Sequence, residues 1–291
     1  MSLLLHKTGI LALIQDGGRS GYRHIGIPES GPMDIQSYQL AHACCGNQGH
    51  EPLIEFTLHG AMVEFKKATT IALTGGGATA TINDLPIAYN QAHSIEAGAI
   101  LKLLPAPFGC RTYLAVQGGF IVQAELGSCS TYTSAAIGGI NGRSLRPGDY
   151  IAWNENNPRN STSMQLSVNI ENPALFNQSV SLQCYPGPEW AWFDRATQEH
   201  FLQQQWQIDP QSNRMGYTLK GSPLLLKEKR ELISTAVMPG IIQVTPAGNP
   251  IILLSDAQTI GGYPRIARLH ASAFPIIGQC RPGNSIQFKL A

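Results

Sequence analysis

Short apolar or alternating runs, each closed within a few residues by Gly, Pro, Asn or Asp, recur along this chain. Leu11 to Ile14, Met62 to Phe65, Thr70 to Leu73, Ala78 to Ile82, Ile100 to Leu104 and Thr112 to Val116 are examples. Their period is two and their lengths are those of strands. The 30 Gly and 19 Pro among 291 residues supply the many tight turns that such short strands require. The opening Met1-Ser-Leu-Leu-Leu-His-Lys7 reads as a first strand rather than a signal peptide, because its Lys follows the apolar run. Helical signals are few. Asp34 can cap a helix through Gln36 to Ala41 that Gly46 ends, and a second candidate runs from Pro188 through Trp192, Phe193 and Ala196 to Phe201.

A turn-into-strand pattern repeats. Arg146-Pro-Gly-Asp-Tyr-Ile-Ala-Trp153 and Arg281-Pro-Gly-Asn-Ser-Ile-Gln-Phe288 each place a Pro-Gly turn before an alternating strand, and Ala97-Gly-Ala-Ile-Leu-Lys-Leu103 shows the same turn-into-strand half. Between the two full copies, Asn154 to Gln178 is rich in Asn, Ser and Pro and reads as a connector. Two β lobes of related architecture fit this layout, and a single sandwich of short turn-strand units fits it as well.

Composition narrows the function classes. A net charge of +1 offers no excess of positive charge to pull on nucleic acid or an anionic membrane. With 43% hydrophobic and 13% charged residues, the chain can bury a large core. Its six cysteines form no C-x-x-C pair, which argues against zinc, and the lack of signal-peptide and membrane-spanning patterns leads us to expect a cytoplasmic protein with reduced thiols. No apolar run approaches the roughly 18 residues needed to cross a bilayer. The sequons at Asn160 and Asn177 carry no meaning in that compartment.

Common catalytic markers are missing: there is no G-x-x-x-x-G-K-[ST] loop, no G-x-S-x-G elbow and no H-E-x-x-H helix. Gly75-Gly-Gly-Ala-Thr-Ala-Thr-Ile82 suggests a dinucleotide loop only superficially; the strand-like residues after it favour a hairpin turn. The eight His are scattered, none at ligand spacing. Three segments instead put polar groups on glycine loops after apolar strands. In the first, Gln15, Asp16 and Arg19 lead on to Ser30 and Asp34, so an anion could sit on bare backbone and an arginine fork, or Asp16 and Arg19 could simply pin the loop. In the second, Gly118 and Gly119 join Ser128, Ser130, Thr131 and Arg143 as donors for a polarised carbonyl oxygen, or as loop-stabilising hydroxyls. In the third, Asp256, Gln258, Thr259, Gly261, Gly262 and Tyr263 follow the strand Pro250 to Ser255 and could orient water, a lactam or a metal-bound phosphate, or close a barrel mouth with buried hydrogen bonds.

Taken in order, Leu13-Ile-Gln-Asp-Gly-Gly-Arg-Ser-Gly-Tyr-Arg-His-Ile-Gly26, Ser30-Gly-Pro-Met-Asp34, Gly118-Gly119, Gly127-Ser-Cys-Ser-Thr131, Asn213-Arg-Met-Gly216 and Asp256 to Pro264 resemble the family of 5-oxoprolinase C subunits. That family is also described as allophanate hydrolase subunit 2 or biotin-dependent carboxyltransferase-like, and is related to part of urea carboxylase. The resemblance spans nearly the whole chain. It implies a mainly β fold of two cyclophilin-like β-barrel lobes with a few short helices, over residues 1–165 and 180–291, with a strand exchanged between lobes as an option. It also implies a tight complex with the B subunit of 5-oxoprolinase, a separate A subunit, and ATP and Mg²⁺ acting through that complex to open 5-oxo-L-proline to L-glutamate.

An unstrained lactam is a poor electrophile, so coupling to ATP and fixed donors that balance growing charge suit the task. On this reading Arg19, Asp256 and Gln258 are catalytic. Gln15, Asp16, Ser30, Asp34, Gly118, Gly119, Ser128, Ser130, Thr131, Arg143, Arg214, Thr259, Gly261, Gly262 and Tyr263 bind substrate, and no residue is a metal ligand beyond a role for Asp256 towards Mg²⁺ or water. The chain departs from the family pattern at Cys129, where Arg or another polar residue is expected, and at Ala273, where an acid is expected. Two other functions remain in play. One is carboxyl transfer to urea or another amide, for which this chain has no Met-Lys-Met biotin-attachment signature of its own; the other is a regulatory protein that antagonises an inhibitor of a histidine kinase.

Overall fold

A computed structural model describes residues 2–154, 180–228 and 230–291. The expected connector at Asn154 to Gln178 and the boundary near residue 165 lie almost wholly outside the described residues, as do both sequons. The chain divides into two compact units. The first holds Met1–Ser20 and Ser30–Pro173, and the second holds Gly21–Glu29 and Ala174–Ala291. Every described strand pairs within its own unit, and the short segment 21–29 is the stretch of early sequence that joins the later unit.

In the first unit a six-stranded and a five-stranded antiparallel sheet enclose one core. All six apolar runs named from sequence are strands here, and Ser2–Thr8 is the first. Alternation decides which side each residue faces. Ile71, Leu73, Leu114 and Val116 point into the core shared with Leu3, Leu5, Phe56, Val63, Phe65 and Leu101. Their neighbours Ala72, Tyr113 and Ala115 point the other way, onto the helix Ile35–Cys45 through Tyr38, Ala41 and Cys45. Small residues on that face let the helix approach the sheet closely. Asp34 caps the helix as its sequence suggests, accepting from the Gln36 and Ser37 N–H groups, and Gly46 ends it in the left-handed conformation.

The second unit is a closed barrel of seven strands, in the order Val180–Pro186, Arg265–Leu269, Ile241–Val244, Pro250–Leu253, Gly216–Lys220, Trp206–Ile208 and Ser285–Leu290. Its single parallel pair, Val180–Pro186 with Ser285–Leu290, completes the ring and leaves no open edge. A two-stranded ribbon, Thr235–Ala236 with Ile260–Gly261, lies in the loops around it. The mainly β reading of the sequence is correct.

Four turns share one construction, two in each unit: Glu96–Ala99, Arg146–Asp149, Met238–Ile241 and Arg281–Asn284. In each, the fourth N–H donates to the first carbonyl at 3.0–3.2 Å. The third residue is a glycine with φ of 85°, 92°, 87° and 88° in turn, the mark of a type II turn. That glycine's own N–H reaches across to a neighbouring strand, at Phe65, Leu5, Leu253 and Ile208 O respectively, over 2.7–2.8 Å. The repeat seen in the sequence is therefore a recurring join between a turn and its neighbouring strand. Met238-Pro-Gly-Ile is a copy that the sequence reading passes over.

Two local expectations need correction, and one element is not anticipated. Gly75–Gly77 is not a hairpin turn, because the strands it joins, Thr69–Gly75 and Ala78–Ile82, belong to different sheets. Its glycines are there for close approach: a Cβ on Gly77 would lie 2.5 Å from Cys110 O, and one on Gly109 would lie 2.3 Å from Gly76 O. The helix expected over Pro188 to Phe201 is split into a 3₁₀ turn at Trp190–Trp192 and a helix at Arg195–Gln203. Phe193 is extended between them and Asp194 caps the new start by accepting from Thr197 N–H. The helix Ala273–Gln279 has no counterpart in the sequence reading, since its short, apolar sequence carries no amphipathic period.

Candidate functional site

The residues singled out from sequence fall into two clusters, one in each unit. In the first unit, the strand Leu11–Gln15 runs directly into Asp16, and the chain brings Ser128–Thr131 back to it. Asp16 Oδ1 accepts from Ser128 Oγ at 2.5 Å, Ser130 Oγ at 2.6 Å and Gly18 N–H at 3.0 Å, while Oδ2 accepts from Cys129 N–H at 2.5 Å. Each hydroxyl also accepts: Ser130 N–H donates to Ser128 Oγ, and Asp16 N–H to Ser130 Oγ, both at 3.0 Å. Arg19 is fully buried and donates to three main-chain carbonyls of the same loop, at Glu125 O (3.0 Å), Ser130 O (2.9 Å) and Ser128 O (3.4 Å). Thr131 donates from both N–H and Oγ1 to Ile14 O, at 2.9 and 3.0 Å. One anion and one cation thus hold the 125–131 loop to the end of the strand.

This geometry leaves little for nucleophilic chemistry. Both serine hydroxyl protons go to Asp16. Burial, and then the nearby Asp16 carboxylate, push the Cys129 thiol up to about 11, so it stays protonated near neutral pH. Two enclosed acceptor atoms of the sequence-derived set have no protein partner among the described residues: Gln15 Oε1 and Ser30 Oγ, the latter on a residue with φ of 58°. Other members of the sequence-derived set serve the fold. Asp34 holds the helix start. Gly118 N–H donates to Asn47 Oδ1 at 2.9 Å in a turn where Gly119 sits against Glu51. Arg143 pairs with Asp149 in a fork, two bonds of 2.8 Å, which holds the Asp149 carboxyl below its usual range.

In the second unit, the strand Pro250–Leu253 delivers Asp256 to Arg214, which precedes the partner strand Gly216–Lys220. The pair is bidentate and buried, with Nε to Oδ2 at 2.8 Å and Nη2 to Oδ1 at 3.1 Å. Asp256 N–H also donates to Arg214 O at 3.0 Å. Gln258 and Tyr263 meet at a residue the sequence reading does not select, Gln243. Gln243 is 1% exposed; its Nε2 donates to Tyr263 O at 3.2 Å and its Oε1 accepts from Gln258 Nε2 at 3.4 Å. Gly261 packs on the same amide, since a Cβ there would lie 2.7 Å from Gln243 Nε2. Thr259 O accepts from Val237 N–H at 3.0 Å, Ile260–Gly261 forms the ribbon, and Gly262 lies against Leu232 O.

This chain of amides has a direction. A main-chain carbonyl can only accept, so Tyr263 O turns the NH₂ end of Gln243 toward itself. Gln243 then faces Gln258 with its oxygen and draws the NH₂ end of Gln258. The end of Gln258 left over is Oε1, which has no protein partner among the described residues. The half-buried Gln258 therefore offers an acceptor, suited to an N–H on a guest molecule. Asp256, by contrast, already spends both oxygens on Arg214. Among the described residues no group of three or more His, Cys, Asp or Glu is placed to hold a metal ion, so the side chains at Asp256 do not fit a Mg²⁺ site.

Among the described residues, no helix is long and apolar enough to cross a membrane. Comparison with known proteins bears on the rest. The carboxyltransferase domain, subdomain A and B, family matches residues 25–290. The chain is 38% identical over 286 residues to the C subunit of 5-oxoprolinase from Escherichia coli, covering 98% of this chain and 90% of that one. It is 36% identical over 278 residues to the protein of the same name from Haemophilus influenzae, covering 96% and 87%. The crystal structure of Kluyveromyces lactis urea carboxylase superposes with a TM-score of 0.89 at 30% identity, over 99% of this chain but only 27% of that much longer one. The chain belongs to the carboxyltransferase domain, subdomain A and B, family, alongside the 5-oxoprolinase C subunits.

Proposed function

We propose that this chain is the C subunit of an ATP-dependent 5-oxoprolinase, which opens 5-oxo-L-proline to L-glutamate in the cytoplasm and works in complex with the B and A subunits of that enzyme. The observation that carries the reading is the 38% identity to the E. coli protein along nearly the full length of both chains. ATP and Mg²⁺ act through the complex and supply the activation that a stable lactam needs; the side chains around Asp256 in this chain are not assigned to them. The two clusters then have different roles. In the second unit, Gln258 Oε1 accepts the lactam N–H, orienting the ring, with Gln243 as its positioning residue. Arg214 and Asp256 hold the loop that presents it. In the first unit, Asp16 and Arg19 are positioning residues that fix the 125–131 loop, while Gln15 Oε1 and Ser30 Oγ are the acceptors left for a ligand.

The test is purification of the chain with its partner subunits and measurement of glutamate from 5-oxoproline plus ATP. ATP-dependent glutamate formation is expected, and its absence in an intact complex overturns the reading. The similarity to urea carboxylase favours a second reading, carboxyl transfer to urea or another amide. Carboxylation of urea with a biotin-bearing partner, without glutamate formation, would establish that one instead. Tight partner binding with neither product would point to regulation.

A further inference from the structure

Two arginines of the second unit, the buried Arg214 and the half-buried Arg265, are each matched by a carboxylate. Arg214 has Asp256, and Arg265 has Glu189 through bonds of 2.7 Å from Nε and Nη2. Arg23 differs. It lies in the segment 21–29, which crosses to this unit between Gly21 and Gly26, both at positive φ. The turn is closed by Gly26 N–H donating to Arg23 O at 3.1 Å. From there the guanidinium reaches the Val237 carbonyl, to which Nη2 donates. Its Nη1 is enclosed and has no acceptor among the described residues. Leaving a charged donor enclosed and unmatched is unfavourable, a cost that an incoming anion removes.

The location matters as much as the missing acceptor. Val237, which holds Nη2 through its carbonyl, donates its own N–H to Thr259 O at 3.0 Å. The cation is therefore tied through one residue, Val237, to the loop that displays Gln258 and Thr259. A planar guanidinium with one edge secured on main chain and the adjacent nitrogen left without an acceptor is suited to a carboxylate oxygen.

We propose that Arg23 is the receptor for the substrate's carboxylate, so that this unit selects small amides bearing an acid over neutral amides. This rests on the reading of the chain as part of a 5-oxoprolinase. The test uses the intact complex of all subunits and compares 5-oxoproline with 2-pyrrolidinone, the same lactam lacking the carboxylate. Wild type should bind 5-oxoproline at least tenfold more tightly by calorimetry. Arg23→Gln should weaken 5-oxoproline at least tenfold, leave 2-pyrrolidinone within twofold, and raise KM far more than it lowers kcat; Arg23→Lys should restore part of the loss.

If Arg23→Gln leaves the preference for the acid intact, or weakens both lactams equally in a complex that still assembles, the carboxylate role is overturned while the 5-oxoprolinase reading stands. If wild type makes no glutamate and binds neither lactam, that reading fails and the proposal fails with it.

Discussion

Replacing Asp16 by Asn changes one atom at the centre of the first cluster, and the structure sets the outcome. The carboxylate accepts four hydrogen bonds, three at Oδ1 and one at Oδ2. An amide has one accepting end and one donating end. With its oxygen at the Oδ1 position, the new NH₂ faces Cys129 N–H, donor against donor; turned round, it faces three donors. Either serine could accept that NH₂ on its second lone pair, but only by turning its own proton away from this site. The better orientation loses one bond to a charged acceptor, about 1.5–3 kcal/mol, and demotes three others from charged to neutral, for a total of about 3–4 kcal/mol. Urea unfolding of the purified chain, followed by fluorescence, should show that loss. Ser128→Ala, which removes one donor, should cost about 1 kcal/mol. An Asp16→Asn protein within about 0.5 kcal/mol of wild type would refute the argument that the carboxylate organises this loop.

Three further outcomes follow from the same geometry. Burial outweighs the nearby Glu51 carboxylate and lowers His42 to about 4 from 6.5, so the unfolded chain takes up the proton first; stability present above pH 6.5 should fall by about 2 kcal/mol at pH 5, and His42→Gln should remove that slope in urea titrations at the two pH values. Asp256→Asn leaves the buried Arg214 without its counter-ion and should cost about 3–5 kcal/mol by urea unfolding of the purified chain, with at least a tenfold loss of glutamate formation in a folded complex. Gly118→Ala and Gly127→Ala both force a side chain onto positive φ, but a Cβ at 118 would lie 1.9 Å from Asn154 O whereas none lies near 127, so only the first should exceed the roughly 1–2 kcal/mol of backbone strain in thermal unfolding.

What the sequence revealed and what it concealed have separate physical origins. Strands and the 35–45 helix depend on near neighbours, and period, cap and closing glycine are all written locally. The Asp16 cluster depends on residues 112 to 114 positions apart, so Asp16, Arg19, Ser128 and Ser130 could be picked as polar residues on glycine loops, but not as partners of one another. Arg19 looked like a fork for an anion because donors on main-chain carbonyls leave no trace in composition. Gln243 was harder still: it is a single polar residue in the apolar strand Ile241–Val244, and the available signal was that a strand buried at every position has no solvent to satisfy an amide. Arg23 was present in the family motif without a role, and the role proposed for it rests on the placement of segment 21–29. Gly75–Gly77 misled for a related reason, since a glycine needed for crossing between sheets has the same letter as one needed for a tight reversal.

The four type II turns have a consequence for how such a chain can change over time. Each one locks the start of its strand through the same pair of main-chain bonds, with the glycine N–H anchored on a neighbour. Pairing frame and interior chemistry are thereby uncoupled: substitutions can accumulate inside either half without sliding a strand by one residue, which would turn its core face outward. A single inserted residue inside any of these turns should do far more damage than several conservative replacements in the strand it launches.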